Sequence, residues 1–383
     1  MRILHTADWH LGKMFYGEYL TEEQAYVLLQ QFLPMIREEH IDAVILAGDV
    51  YDRSLPPTAA VELFDEVATK ITAELGVPFF IISGNHDSEV RLSFASSLLA
   101  KQGLYIAGEF EKLSAPVRLA DAYGPVQFVL LPFAEPAMVR HFLHDDTIHT
   151  HEEALQRLMA YQLERVSPCA RTVCVAHAFV AGGIASDSER PLSIGGSDVV
   201  AASLFDDFTY TALGHLHGPQ KVSRDTTRYA GSLLKYSFGE AHQKKGAVIV
   251  DIDGNGTAVS QQIPFAPLHD VRVIDGFFEN IMNAADDRPD DYVLVRLQDR
   301  EPILDGMAKL RRKYCRAMAL ETPNRQSAAK TDQQFDLRRI TERQLFDSFA
   351  AAMQEGRSLT EAEQACVDEL WKTLLSQEGE GLL

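Results

Sequence analysis

Long apolar runs are missing from this sequence. The longest, such as 126–134, reach about half of the ~20 residues that a membrane-crossing helix requires. No uninterrupted apolar stretch of the secretory type precedes the first acid, Asp8. A soluble, cytoplasmic protein with no membrane partner is expected. Cysteine is scarce: Cys169, Cys174, Cys315 and Cys366 form no CxxC pair and no disulfide framework, which fits a reducing compartment and leaves them without an assigned role. Positive charge is in deficit, 36 Lys and Arg against 55 Asp and Glu, for a formal net charge of −19. At face value this disfavours a nucleic-acid partner. The average conceals a reversal, because 306–343 holds ten Lys and Arg against four Asp and Glu. Charge alone leaves the partner open, and an acidic body also suits a site that gathers divalent cations. Internal repeats and low-complexity tracts are absent.

Core-forming residues are plentiful. Of 383 residues 46% are hydrophobic, and the length predicts two domains with a small third piece. In the first 120 residues, short apolar runs at 2–6, 43–47 and 78–83, each bounded by Gly, Asp or Asn, alternate with helical segments at 22–39 and 57–75. That alternation predicts a parallel sheet with helices on its faces. Further strands are expected at 117–120, 126–132, 172–176, 210–213, 227–230, 246–251 and 259–264, in the manner of a β-meander. Asp253-Gly254-Asn255-Gly256 is a hairpin turn between the last two. A two-sheet α/β sandwich flanked by helices, closing near residue 265, accommodates this order. Past a linker at Pro264-Phe265-Ala266-Pro267, a small α+β unit is expected: strand 270–274, helix 277–285, strand 292–297, helix 302–313, strand 315–320. A polar loop, 322–334, then leads to a pair of C-terminal helices, with capping-box spacing at Thr341/Gln344 and Thr360/Glu363 and Gly356 placed to end the first. The expected domains are 1–265, 268–335 and 338–383.

The first strand runs into Asp8-Trp9-His10. Two residues apart in an extended segment, a carboxylate and an imidazole point the same way and make half of a metal site. Taken alone, this pair is an ordinary strand-terminal Asp and a surface His. The second strand ends in Gly48-Asp49-Val50-Tyr51-Asp52-Arg53 and the third in Gly84-Asn85-His86-Asp87, so three successive strands carry metal-ligand side chains at their carboxyl ends. In a parallel sheet those ends line the edge where ligands bind. Coincidence explains any one of them, not all three. The apolar run 172–176 then ends in His177, and 210–213 runs into Gly214-His215-Leu216-His217.

These five blocks, DxH, GDxxDR, GNHD, a lone His and GHxH in that order, resemble the calcineurin-like metallophosphoesterase superfamily over roughly residues 1–240. Within it, Leu4-His5-Thr6-Ala7-Asp8-Trp9-His10-Leu11-Gly12, the block from Gly48 to the Pro56-Pro57 pair, and Tyr229-Ala230-Gly231-Ser232-Leu233-Leu234-Lys235-Tyr236-Ser237-Phe238 resemble the SbcD family of nuclease subunits. The resemblance implies one metal ion on Asp8, His10, Asp49 and His217, and a second on Asp49, Asn85, His177 and His215, with Asp49 bridging. Paired cations stabilise both the attacking and the leaving oxygen of a displacement at phosphorus. Mn²⁺ is the family's ion, while Fe, Zn or Co are also open on ligand type. His86 would contact the scissile phosphate, and Asp52 would orient it and raise its basicity. Arg53 is open between a phosphate clamp and a salt bridge at a helix start. The implied activity is exonuclease action on duplex DNA ends and endonuclease action on single strands or hairpins, in DNA repair and recombination. It would be exercised by a nucleoid-associated homodimer within a heterotetramer containing an SbcC-type, SMC-like ATPase.

Two further stretches have two readings each. Lys309, Arg311, Arg312 and Lys313 form either a solvated helix face or a DNA phosphate contact, and the family's capping module favours DNA. Leu370, Trp371 and Leu374, with Leu345 and Phe349 on the preceding helix, form an apolar stripe that either folds back or grips the coiled-coil base of the ATPase, the second being favoured. His141, His144, His149 and His151, crowded among acids, read as a solvated loop rather than a third metal site, and Trp9 as packing beneath the ligands. Two other functions compete with the nuclease: a small-molecule phosphodiesterase or phosphatase on the same fold, and a largely structural subunit of the ATPase complex. The basic module and amphipathic tail weigh against the first, the complete ligand set against the second.

Overall fold

The computed structural model describes residues 1–165, 169, 171–189 and 198–323, and beyond these residues 346, 350, 360, 363–365, 367, 368 and 370. The strands of its two large sheets are β1 (Arg2–Thr6), β2 (Ala43–Ala47), β3 (Phe79–Ile82), β4 (Leu104–Ala107), β5 (Val117–Asp121), β6 (Gly124–Leu131), β7 (Thr172–His177), β8 (Tyr210–Gly214), β9 (Gln220–Val222), β10 (Arg224–Tyr229), β11 (Gly246–Ile252) and β12 (Ala258–Pro264). A small third sheet adds β13 (Val271–Gly276), β14 (Tyr292–Leu297) and β15 (Ala317–Glu321).

Two six-stranded sheets make the sandwich, in the orders β12-β11-β1-β2-β3-β4 and β9-β10-β8-β7-β6-β5. Alternation along the strands explains why two layers form. Ile3, Ile45, Phe80 and Ile82 face the second sheet and pack with Phe128, Val173, Val175 and Ala212. Their neighbours Leu4, Val44, Leu46, Phe79 and Ile81 face the other way, toward Val27, Phe32, Leu63 and Val67 on the helical segments. Stacked Phe80 and Phe128 rings, 4.2 Å apart, join the sheets. So does buried His5, whose two ring nitrogens meet the Tyr210 hydroxyl at 2.9 Å and the Leu213 carbonyl at 3.2 Å.

The β-meander expectation is corrected. In the second sheet β6–β7, β7–β8 and β8–β10 all pair parallel. Parallel neighbours need a long crossover. Helices Pro136–Leu143 and His151–Leu163 occupy the one between β6 and β7. Among the described strands of the two large sheets, hairpin pairing is confined to β5–β6, β9–β10 and β11–β12, the last turning at 253–256 as its Asp and Gly residues predict. The helix expected at 302–313 is also shorter, Gly306–Leu310, because Asp305 takes a left-handed φ of 54° and the chain before it turns instead of coiling.

By contact density the chain divides into Met1–Thr322 and Pro323–Leu383. The first unit includes the parallel three-stranded sheet β13-β14-β15, whose own core is Ile281, Val293, Val295, Leu297, Leu310 and Tyr314. Glu23 fastens the start of this module to the sandwich by accepting from His269 Nδ1 at 2.5 Å and from its backbone N–H at 3.1 Å. Within the second unit, Thr360 and Glu363 exchange capping-box bonds, 2.7 Å from Thr360 N–H to the Glu363 carboxylate and 3.4 Å in return. No helix among the described residues is long and apolar enough to cross a membrane.

Candidate metal centre

At the carboxyl ends of β1, β2, β3, β7 and β8 the candidate ligands converge. One oxygen of Asp49, Oδ2, lies 3.5 Å from Nε2 of His10 and 3.5 Å from Nε2 of His177. On one side of it, His10 Nε2 and His217 Nε2 face each other at 3.1 Å. On the other, Asn85 Oδ1 is 3.0 Å from His177 Nε2 and 3.1 Å from His215 Nδ1. Asp8 lies between the strand ends, accepting from the His215 backbone N–H at 3.0 Å. Asp8 with His10 and His217, Asp8 with Asp49 and His177, and His10 with Asp49 and His86 each bring ligand atoms within 4.8 Å of one another.

Backbone geometry, rather than strand alternation, aims these groups. β1 ends at Thr6, and Asp8 and His10 then adopt left-handed φ values of 51° and 45°. The expectation that they share a face of an extended segment is therefore corrected: a tight loop, zipped to the next one by Asp8 N–H to Gly48 O and His10 N–H to Asp49 O, brings them together. Asp49 (49°) and His215 (106°) are left-handed as well. Such conformations are costly for residues with a Cβ and collect where the surroundings over-determine them, at functional sites. Gly48 is required by both φ and space, since at φ +88° a Cβ would sit 2.1 Å from His177 Nδ1.

Electrostatics fit cations as well. Asp8 is fully buried, and burial, then the Asp49 charge, pushes its carboxyl well above the usual range. Burial, then neighbouring histidines, pushes His10 and His215 well below theirs, and burial lowers His177. The imidazoles are thus neutral and ligand-ready, and the two adjacent buried carboxylates, Asp8 and Asp49, call for counter-charge. Divalent ions supply that charge and invert the local preference for protonation. The donor set fits a binuclear site.

Residues 1–219 match the calcineurin-like phosphoesterase family model. The chain belongs to that family. A second model, the C-terminal domain of the SbcD type, described as the Type 5 capsule protein repressor C-terminal domain, matches residues 267–354. The two together identify an SbcD-type chain within the phosphoesterase family. A dimetal phosphatase from Danio rerio is similar at 13% identity over 68% of this chain and 98% of that one, with a TM-score of 0.36.

In this family member the expected Asp52–His86 contact takes a different form. His86 Nδ1 meets the Asp52 backbone carbonyl, at 2.8 Å, and not its carboxylate. The carboxylate turns to Lys13 Nζ at 2.8 Å and lies 3.7 Å from His10 Nδ1. Arg53 is half-exposed, 3.8 Å from Asp52. Trp9 packs beneath the site against Phe32 and Phe79, its Nε1–H donating to Thr6 Oγ1 at 2.9 Å.

Several supports escaped the sequence reading. The Gln24 side-chain amide donates to the Trp9 and His10 carbonyls at 3.0 and 2.8 Å, and its oxygen accepts from Gly12 N–H at 3.1 Å. Its signal was a polar residue at apolar-face spacing with Val27 and Leu28. Asp87 binds two loops through the N–H groups of Val50, Tyr51 and Gly84 at 2.9–3.1 Å, and burial pushes its carboxyl up to about 7. Among the described residues, His141, His144 and His149 join no three-ligand cluster. The neighbouring acids have local duties, Glu153 as partner of Thr150 in a capping box and Asp145 paired with Arg157 at 3.3 Å.

The basic stretch is partly committed to its own module. Lys313 Nζ caps the helix Phe278–Asn283 through the carbonyls of Ile281, Met282 and Ala284, Arg311 Nε donates to Ala317 O at 3.2 Å, and Lys309 lies 6.0 Å over the Phe278 ring. Arg312 is exposed. Of the tail residues, Leu370 is exposed, and Leu345, Phe349, Trp371 and Leu374 lie outside the described residues.

Proposed function

We propose that this chain is the nuclease subunit of a DNA repair and recombination complex, hydrolysing phosphodiesters at duplex ends and in single strands or hairpins, beside an SbcC-type, SMC-like ATPase. The observation that carries the hydrolytic site is Asp49 Oδ2, equidistant at 3.5 Å from a histidine of each ligand group. Asp8, His10, Asp49 and His217 would hold one divalent ion, and Asp49, Asn85, His177 and His215 the other, Mn²⁺ suiting this mixed nitrogen and oxygen set. When bound, the ions polarise the phosphoryl group and provide a nucleophile at neutral pH. His86 is the most open of the site histidines, 8% exposed against 1–4% for His10, His177, His215 and His217. Its Nδ1–H is held by the Asp52 carbonyl, which turns Nε2 toward the phosphate; as an imidazolium, with a proton on each nitrogen, His86 would give the Nε2 proton to the leaving oxygen as the P–O bond breaks. The match over residues 267–354 supports a DNA substrate and an ATPase partner, with Lys309, Arg311 and Arg312 as phosphate contacts and the 338–383 tail as the grip on the ATPase.

Incubating the full chain in Mn²⁺ with linear duplex DNA and with a small phosphodiester, with and without ATPase and ATP, tests this reading. Cleavage of DNA is expected. Turnover of the small diester with none of DNA, even with partner and ATP, would make the small-molecule phosphodiesterase the correct function.

A homodimer belongs to the same proposal. Leu55, Val61, Val90, Phe94 and Leu98 are 44–79% exposed, a concentration of apolar surface that marks an interface. Leu55 and Val61 share a cleft of about 440 Å³ with Leu92, Phe94 and Leu99, so segments 55–63 and 92–99 form one face. The Phe94→Glu/Leu98→Glu double variant is expected to halve the mass measured by light scattering while leaving small-diester hydrolysis intact. An unchanged mass places the interface elsewhere.

A further inference from the structure

Each histidine turned into the site must present one bare ring nitrogen, and a neutral imidazole can carry its proton on either. For His177 the choice is fixed by a backbone carbonyl, Nδ1 donating to Ala47 O at 2.9 Å. His217 is different. Its Nδ1 meets a side chain, the Ser188 hydroxyl, at 2.6 Å, and Ser188 in turn donates to the Glu240 carboxylate.

Glu240 is wholly buried and can only accept. It also receives Lys245 Nζ at 2.5 Å, Ser237 Oγ at 3.1 Å and the Tyr236 N–H at 3.2 Å. With the Lys245 ammonium, the Ser237 hydroxyl and the Tyr236 N–H all donating to Glu240, its oxygens accept from Ser188 as well, and the Ser188 hydroxyl oxygen is then left to accept from His217 Nδ1–H. Nε2 of His217 is thereby bare on the side facing His10. The main chain of His217 is gripped too, its N–H by Glu189 at 2.6 Å and its carbonyl by Lys245 at 2.7 Å. Residues 188, 189, 240 and 245 thus hold His217 at three points, and none of them is among the predicted ligands.

We propose that Ser188 is a positioning residue for one metal position only: backed by the buried Glu240–Lys245 pair, it fixes the tautomer and ring angle of His217 and so sets the affinity of the Asp8–His10–His217 position, leaving the Asn85–His177–His215 position untouched. This rests on the binuclear reading above. Outer partners of ligating histidines orient the ring and raise its basicity, and their loss costs about 10- to 100-fold in metal affinity.

Ser188 is only partly buried, so Ser188→Ala leaves the fold intact, whereas altering Glu240 would strand the buried Lys245 charge. The full chain, freed of metal, is titrated with Mn²⁺ by calorimetry, and the spin-coupled ion pair is read by electron paramagnetic resonance. Wild type is expected to take up two ions. Ser188→Ala should weaken one uptake by about 10- to 100-fold and keep the other, with the coupled signal lost at Mn²⁺ levels that saturate wild type, and Ser188→Thr should restore both. Two wild-type affinities in Ser188→Ala, or equal weakening of both positions, overturns the proposal. A wild-type chain that takes up fewer than two ions overturns the binuclear reading itself.

Discussion

Asp49→Ala is expected to empty both metal positions, not one, weakening Mn²⁺ binding at each on the order of 100-fold or more, since it removes a ligand and not merely an outer partner. The reason is the shared oxygen, 3.5 Å from His10 Nε2 in one group and from His177 Nε2 in the other. A complication is that Asp49 Oδ1 also accepts the His86 backbone N–H at 2.9 Å, so alanine loosens the loop after β3 as well. Asp49→Asn separates the two effects, because it keeps an acceptor for that N–H and removes the charge. Both variants should lose both ions by metal analysis. Without metal, Asp49→Asn should melt at a higher temperature than metal-free wild type, because burial and then the Asp49 charge are what push the Asp8 carboxyl up, and the variant removes that charge. With Mn²⁺ the order reverses, since only wild type gains binding energy. One ion retained at full occupancy in either variant makes the bridging assignment wrong.

Legibility in the sequence followed the range of the physics. The strands before Asp8, Asp49 and Asn85 were readable because buried parallel strands are continuous apolar runs, and their carboxyl ends follow from topology. His177 and the His215–His217 pair were readable for the same reason, although the second sheet was expected as a meander. What failed were features set by partners distant in the chain. Gln24 reaches 14 residues back to His10, and Ser188 reaches 29 residues to His217 and 52 to Glu240; no local pattern encodes these bonds. The left-handed turns at Asp8 and His10 are contrary to local preference and exist because neighbouring loops hold them. Asp52 shows a subtler limit. Its position beside His86 was legible, but a motif names a residue and not an atom, and the contacting atom is the carbonyl, which any residue supplies.

His86→Ala is expected to lower DNA hydrolysis by about 10²- to 10⁴-fold, the range for a lost general acid, with both ions still bound and the melting temperature nearly unchanged. Metal retention is the first discriminating readout, because a His86 nitrogen lies within 4.8 Å of ligand atoms of His10 and Asp49 and is close enough to be a ligand itself. Loss of an ion would move His86 into the ligand set. Retention leaves two roles, giving a proton to the leaving oxygen or neutralising charge on the phosphate, and the leaving group separates them. The departing sugar oxygen of DNA is strongly basic and needs a proton as its bond breaks, whereas a nitrophenolate departs without one. If His86 acts as the acid, His86→Ala should lose most of its activity on DNA and much less on bis(p-nitrophenyl) phosphate, measured at the same Mn²⁺ concentration. An equal loss on both substrates assigns His86 to charge stabilisation, since the phosphoryl oxygens carry the same charge whatever group departs.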